Sequence, residues 1–144
     1  MAANNDPIYS RRGQVATNGT TGMSQAITAA AADYTGAGAN NVLVFTADST
    51  NGSFVQRLRF KAAGTNVAAV MRIYINNGSV NTSAANNAFY GEVSLPATTA
   101  STTAATVDID YPMAIALPAG FRIYCGLGAA VAAGWVVTPI AGDY

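Results

Sequence analysis

Hydrophobic and polar residues alternate in short stretches along most of this chain, and turn-forming residues separate the stretches. One clear alternation predicts two faces, with Phe54, Gln56, Leu58 and Phe60 on the first and Val55, Arg57, Arg59 and Lys61 on the second. A period of two is typical of a half-buried β-strand, because successive side chains point to opposite sides of a sheet. Similar patterns predict further strands at 41–47, 67–75, 89–95, 107–111, 113–117, 121–127 and 134–140.

The connections between these stretches are rich in Asn, Gly and Pro. Asn76-Asn77-Gly78 is a strong signal for a tight hairpin turn, since Asn and Gly accept the positive φ angles that such turns require. Residues 97–106 are uncharged and rich in Ala and Thr, which favours a long exposed loop. Residues 23–32 are ambiguous: their Ala content suits a helix, but their neighbours favour a strand followed by a loop.

Together these segments predict an all-β fold. We expect a single-domain antiparallel β-sandwich or jelly roll of about seven to nine short strands. Residues 1–21 show no regular period, and we interpret them as an extended N-terminal arm. The β-sandwich or jelly-roll domain then spans residues 22–144.

The composition argues against catalysis. The chain of 144 residues has no histidine, one cysteine and only 10% charged residues, while 51% of its residues are hydrophobic. Without histidine, a Ser-His-Asp or Cys-His arrangement cannot form, and few titratable groups are left to gather in a pocket. We therefore predict that the protein is not an enzyme and binds no cofactor or metal.

Charge bears on the expected partners and location. Seven basic residues balance seven acidic ones, so no net field attracts nucleic acid or an anionic membrane. The first seven residues lack the basic and then apolar layout of a signal peptide. We expect a soluble protein that is made in the cytoplasm and binds neither nucleic acid nor membranes.

Two features could carry chemistry, and each has a plainer explanation. Cys125 lies on the apolar face of an alternating run, which predicts a buried and inert thiol. Asp108 and Asp110 share one strand face and could bind Ca²⁺ or act as an acid and a base. We favour exposed or salt-bridged aspartates, because a third ligand is not evident nearby.

A basic stripe on one strand has two interpretations that the residues leave open. Arg57, Arg59 and Lys61 point to the same side, and Arg72 on a neighbouring strand could join them. The stripe could bind phosphate or an acidic protein neighbour. It could equally be a solvated sheet face whose cations pair across strands with aspartates and glutamate, namely Asp108, Asp110 or Glu92.

Several stretches resemble a group of small proteins encoded by tailed bacteriophages and prophages. The residues that carry this resemblance span most of the chain: 5–10 (Asn-Asp-Pro-Ile-Tyr-Ser), 57–61 (Arg-Leu-Arg-Phe-Lys), 64–68 (Gly-Thr-Asn-Val-Ala), Arg72, 75–78 (Ile-Asn-Asn-Gly), 117–120 (Leu-Pro-Ala-Gly) and 132–135 (Ala-Ala-Gly-Trp). The resemblance implies a virion structural protein, and capsid decoration, or cementing, as its role. The implied partners are the major capsid protein and further copies of the chain, arranged as a trimer on the capsid surface. It implies no catalytic residues.

Under this hypothesis the interface with the capsid or a neighbouring copy lies on the arm and the basic stripe. The candidate residues are Pro7, Ile8, Tyr9, Arg11 and Arg12 on the arm, and Arg57, Arg59 and Lys61 on the stripe. Two alternatives remain open. The chain could be a receptor- or glycan-binding module of a head or tail fibre, with Tyr74, Tyr90 or Trp135 as an exposed aromatic platform beside aspartates. It could also be a connector in the neck or tail.

Overall fold

The computed structural model of the protein describes residues 12–14, 26–31 and 33–144. These residues form nine strands and a short 3-10 helix, Ala84–Asn86. The strands are β1 (Arg12–Gln14), β2 (Ala26–Ile27), β3 (Val42–Thr46), β4 (Ser53–Ala62), β5 (Ala69–Asn76), β6 (Asn87–Leu95), β7 (Asp108–Leu117), β8 (Arg122–Leu127) and β9 (Trp135–Asp143). β1 lies within the segment interpreted as an arm, and β2 lies within the ambiguous segment 23–32.

The strands form two antiparallel sheets. The first, sheet A, has the order β1-β9-β4-β7. The strand β2 also pairs with β9, on the same edge as β1 but near the other end of β9. The second, sheet B, has the order β3-β8-β5-β6. The pairs β2–β9, β3–β8, β4–β7 and β5–β6 are nested within one another along the chain. A β-sandwich with this nested pairing has the connectivity of a jelly roll. The predicted all-β antiparallel sandwich is confirmed.

The core lies between the two sheets and contains side chains from both. Leu58, Phe60 and Trp135 from sheet A, and Ile73 and Ile123 from sheet B, are fully buried. Burying side chains of this size contributes about 1.5–3 kcal/mol each. Trp135 is therefore a core residue, which excludes it from an exposed aromatic platform.

A bulge in β4 corrects the predicted faces of that strand. Its register against β9 shifts, because Val55 pairs with Ala141 and Arg57 with Ile140, so Gln56 is an extra residue relative to β9. Against β7 the extra residue lies in β7 instead, since Val55 pairs with Ile115 and Arg57 with Pro112. Val55 consequently faces the core with Leu58, while Phe54 is only half-buried and Gln56 is exposed. A strict period of two places Phe54 and Gln56 on the core side, and the bulge makes that assignment wrong.

The turn predicted at Asn76-Asn77-Gly78 is present, but it begins a connection that is longer than a tight hairpin. Residues 77–86, which include the 3-10 helix, join β5 to β6. Hydrogen bonds between asparagine side chains hold the two ends of this connection together. Asn76 Nδ2 donates to Asn87 Oδ1 at 2.8 Å, and Asn77 Nδ2 donates to Asn86 Oδ1 at 3.3 Å. Gly78 does have a positive φ of 92°, so the turn chemistry was right and only the length of the connection was not.

Two other connections differ from their predicted form. Segments 107–111 and 113–117 belong to one strand, β7, which continues through Pro112. This is possible because β7 is at the edge of its sheet, where a missing N–H does not interrupt a ladder. The segment 97–106 is mostly exposed as predicted, except that Thr98 is buried and pairs with Asn66 through two backbone hydrogen bonds.

Candidate functional site: the outer faces of the two sheets

The outer face of sheet A carries the basic stripe beside two aspartates. Across the β4–β7 ladder, Arg59 lies opposite Asp110 and Lys61 lies opposite Asp108. The ion pairs are diagonal: Arg59 binds Asp108, and Arg57 Nε lies 3.6 Å from Asp110 Oδ1. Lys61 Nζ donates to the Thr106 carbonyl at 2.5 Å. We call these five charged residues, Arg57, Arg59, Lys61, Asp108 and Asp110, the ionic ladder.

The ionic ladder resolves two alternatives of the sequence analysis. The cations of the stripe pair across strands with Asp108 and Asp110, and both aspartates are salt-bridged as favoured. Among the described residues, no group of three potential metal-ligating side chains comes together. The paired side chains are 38–48% exposed, so water screens them. Pairs of this kind contribute about 0.2–1 kcal/mol each.

The outer face of sheet B is organised differently, because the segment 33–41 lies across it. Arg72 Nη1 donates to the carbonyls of Ala31 at 3.4 Å and Asp33 at 3.2 Å. The Tyr74 hydroxyl donates to the same Asp33 carbonyl at 2.7 Å. Burial, helped by the negative charge of Asp33, raises the pKa of Tyr74 to about 12. Tyr74 is fully buried and is not part of an exposed platform.

An aromatic cluster, defined as Tyr34 and Phe89 above the buried Tyr74, projects from this face. The Tyr34 and Phe89 rings meet edge to face with centroids 5.5 Å apart, and Phe89 lies 5.6 Å from Tyr74. The Arg72 guanidinium lies 4.0 Å from the Tyr34 ring centroid, and its Nε is 3.7 Å from Glu92 Oε2. Tyr34 and Phe89 are 59% and 45% exposed. Two aromatic rings are thus held in fixed orientation while much of their surface faces water.

The aromatic cluster was not predicted from the sequence. Tyr34 belongs to a loop and Phe89 to a strand far along the chain, and only the packing of segment 33–41 on sheet B brings them together. A second bulge also contributes: Ile73 pairs with Gly91 and Tyr74 pairs with Phe89, which leaves Tyr90 as the extra residue. That bulge sets Phe89 beside Tyr74 on the outer face.

Arg12, a predicted interface residue, has contacts within the chain. Its Nη2 lies 3.4 Å from Asp48 Oδ2 and 3.6 Å from Asp143 Oδ2. The backbone N–H groups of Asn51 and Thr50 hold the pKa of Asp48 below its ordinary value, and Arg12 adds to this effect. The remaining candidates on the arm lie outside the described residues: Pro7, Ile8, Tyr9 and Arg11.

The remaining candidates for chemistry are accounted for by packing. Cys125 is a fully buried free thiol, as predicted, and burial raises its pKa. Tyr90 is 36% exposed, and its ring meets Tyr111 edge to face at 6.4 Å. Since Tyr74 and Trp135 are buried, the three aromatic residues named for a glycan-binding platform do not form one.

No protein-family model, curated protein or solved structure matches this chain. Within the described ranges, none of the helical structure is long and apolar enough to cross a bilayer. The function is therefore argued from the two outer faces.

Proposed function

We propose that this chain is a non-enzymatic structural protein of a tailed-phage virion, a decoration protein that binds the major capsid protein on the capsid surface. Three features support the proposal. The chain resembles small phage-encoded proteins, it has no histidine, and its structure is a well-packed sandwich with two arginine–aspartate pairs on an exposed face. A protein of this kind acts by adhering to a neighbour, and many weakly attached copies add their contacts through multivalency.

The aromatic cluster is the single observation that carries the proposal. Exposed aromatic rings beside an arginine are typical of the residues that dominate binding energy at protein interfaces. Tyr34 and Phe89 have this character: Arg72 and Tyr74 hold the loop that presents Tyr34, and Phe89 belongs to β6. Because their orientation is fixed before binding, little side-chain entropy is lost when a partner covers them. We assign the capsid-binding surface to this cluster.

The ionic ladder supplies a second, weaker surface on the opposite side of the sandwich. Arg57 and Arg59 are each paired with one aspartate, and each guanidinium has five N–H donors. Donors therefore remain for the carboxylates of a neighbouring protein. The three cations against two aspartates leave the ladder with an excess of one positive charge. We propose that this face orients the protein against a neighbouring copy, as expected for a homo-oligomer such as a trimer.

The proposal is tested by binding the purified protein to capsids that lack it, taken from the virus that encodes it. We expect added density on the capsid surface in electron micrographs, and a copy number in native particles comparable with that of the major capsid protein. Tyr34→Ser and Phe89→Ser should each weaken capsid binding about tenfold or more, the loss typical of an interface hot spot. Val80→Ser is the matched control, because Val80 is 67% exposed and lies outside the cluster.

The possible outcomes separate the alternatives. Binding that all three serine variants retain would contradict the assignment of the aromatic cluster. A copy number far below that of the major capsid protein would favour a neck or tail connector. Capsids without added density, together with binding to a glycan array, would favour a fibre module and overturn the decoration role.

A further inference from the structure

The short strand β1 is held to the sandwich in a different way from the other edge strands. It pairs with the end of β9 over three residues, Arg12 with Asp143, Gly13 with Gly142, and Gln14 with Ala141. None of its three side chains is apolar, and Arg12 and Gly13 are exposed. β1 therefore gains almost nothing from hydrophobic burial, and polar contacts account for its docking.

The carboxylate of Asp143 is the centre of those polar contacts. Asp143 is only 2% exposed. The Ser53 hydroxyl donates to its Oδ1 at 2.6 Å, the Gln14 side-chain amide donates to its Oδ2 at 2.7 Å, and Arg12 lies 3.6 Å away. Two of these three partners belong to β1. A buried carboxylate needs such partners, because burial of an uncompensated charge is costly.

We infer that β1 is a detachable strap, held on β9 by the buried carboxylate of Asp143. When the strap is docked, Gln14 and Arg12 stabilise the negative charge of Asp143, and the same contacts hold the strap on β9. Release exposes the backbone edge of β9 at residues 141–143 and frees the Arg12 side chain. The docked and released states thus differ in the short β1–β9 backbone pairing and a few charge-assisted hydrogen bonds rather than in apolar packing.

The surroundings of Asp143 allow the strap to leave without unfolding β9. β9 stays paired with β4 along its whole length, from Ser53–Asp143 to Ala62–Trp135. Beyond it, the Tyr144 backbone N–H donates to the Gly52 carbonyl at 3.2 Å. The charged side chains that face the strap are Asp143 and Asp48, and Asp48 is also anchored by the backbone N–H groups of its own turn. The released state therefore keeps an intact sandwich.

Residue-resolved amide hydrogen exchange by NMR tests the strap, and it does so whether or not the protein binds a capsid. In Asp143→Asn, a substitution of nearly equal size that removes the charge, we expect exchange at residues 12–14 to accelerate about tenfold or more, the change expected for loss of one charge-assisted hydrogen bond. Exchange of the β4 amides at residues 58–60 should not change. Asp110→Asn is the matched control, because it removes the same charge from the exposed ionic ladder and should leave residues 12–14 unaffected.

A second variant covers the case in which Asp143→Asn fails to fold. Gln14→Ala leaves Asp143 in place and removes one donor from the strap side, and we expect faster exchange at residues 12–14 with the β4 amides still protected. Unchanged exchange at residues 12–14 in the folded variants would overturn the inference. So would acceleration that appears equally in β4, since the strap would then leave only when the whole domain unfolds.

Discussion

The two outer faces of the sandwich both carry arginines, and the structure uses them in opposite ways. On sheet A, Arg57 and Arg59 are 38% and 44% exposed and pair with aspartates of the next strand. On sheet B, Arg72 is only 11% exposed, because the segment 33–41 lies over it, and its guanidinium donates to the carbonyls of Ala31 and Asp33. The first face pairs its arginines with its own aspartates, whereas the second uses an arginine to attach a loop.

This difference shows that the role of a charged residue on the outer face of a sheet depends on whether a loop packs over it. An exposed ion pair is screened by water and contributes little to stability. A guanidinium beneath a loop donates to backbone carbonyls of that loop, and its loss affects everything that the loop positions. The aromatic cluster depends on the second arrangement, since Tyr34 belongs to the loop that Arg72 and Tyr74 hold. Sheet B therefore combines the more stabilising contacts with the more exposed apolar surface.

Replacement of an arginine on each face is the test of this comparison with the largest expected effect on stability. Arg72→Met keeps the length of the side chain but removes the donors to Ala31 and Asp33, and we expect the free energy of unfolding to fall by about 3 kcal/mol. Arg59→Met is the control on sheet A and should cost less than about 1 kcal/mol. Urea denaturation measures both, and equal losses would contradict the distinction between the faces.

Two glycines with similar positive φ angles test how closely the loop packs on sheet B. Gly36 has a φ of 73°, and a Cβ there would lie 2.9 Å from the Tyr74 ring, so Gly36→Ala should cost about 2 kcal/mol through backbone strain and lost contact of the loop with sheet B. Gly120 has a φ of 74°, and no atom lies within 4 Å of its Cβ position. Gly120→Ala should cost about 1 kcal/mol through strain alone. Because both substitutions introduce the same backbone strain, the difference between the denaturation midpoints of the two variants measures the cost of the contact between residue 36 and Tyr74. Identical midpoints would show that the loop moves away from Tyr74 without a loss of stability.

Alkaline titration gives the smallest expected effect. The pKa of Tyr74 is raised from about 10 to about 12, so the neutral phenol is favoured in the folded state. Its contribution is complete below the ordinary pKa and is lost as pH rises through about 12, by about 1–2 kcal/mol in the free energy of unfolding. The comparison with Tyr74→Phe removes the contributions of all other groups to the pH dependence. Parallel stability–pH curves for the two proteins would show that Tyr74 is not protected by burial.

Much of the fold was predictable because strands of this kind bury one face. The period of two placed most of β3 to β9 within a few residues of their observed limits, and the Asn, Gly and Pro signals marked the connections. The bulges were not predictable, because a bulge exists only relative to the partner strand. Without knowledge of β9, nothing in the alternation around Gln56 indicates that it is an extra residue, and the same holds for Tyr90 in β6 without knowledge of β5.

Of the candidate surfaces, one was also predictable from the sequence and the others were not. The ionic ladder was foreseen as one of two alternatives, since cations and aspartates on alternating positions of two strands can meet if the strands are neighbours. The aromatic cluster and the Asp143 contacts were not foreseen. Each joins residues from opposite parts of the chain, with Tyr34 beside Phe89 and Gln14 beside Asp143.

By itself, the sequence determined the secondary structure and the kind of chemistry available to this protein. The alternation of apolar and polar residues required sheets with one buried face, and the lack of histidine and scarcity of charge excluded histidine-dependent catalytic arrangements. Only the tertiary structure decided the register of the strands, the covering of sheet B and the docking of β1. The physical reason is that these features depend on contacts between segments distant in sequence, where the geometry of the partner selects which side chains are buried, paired or exposed.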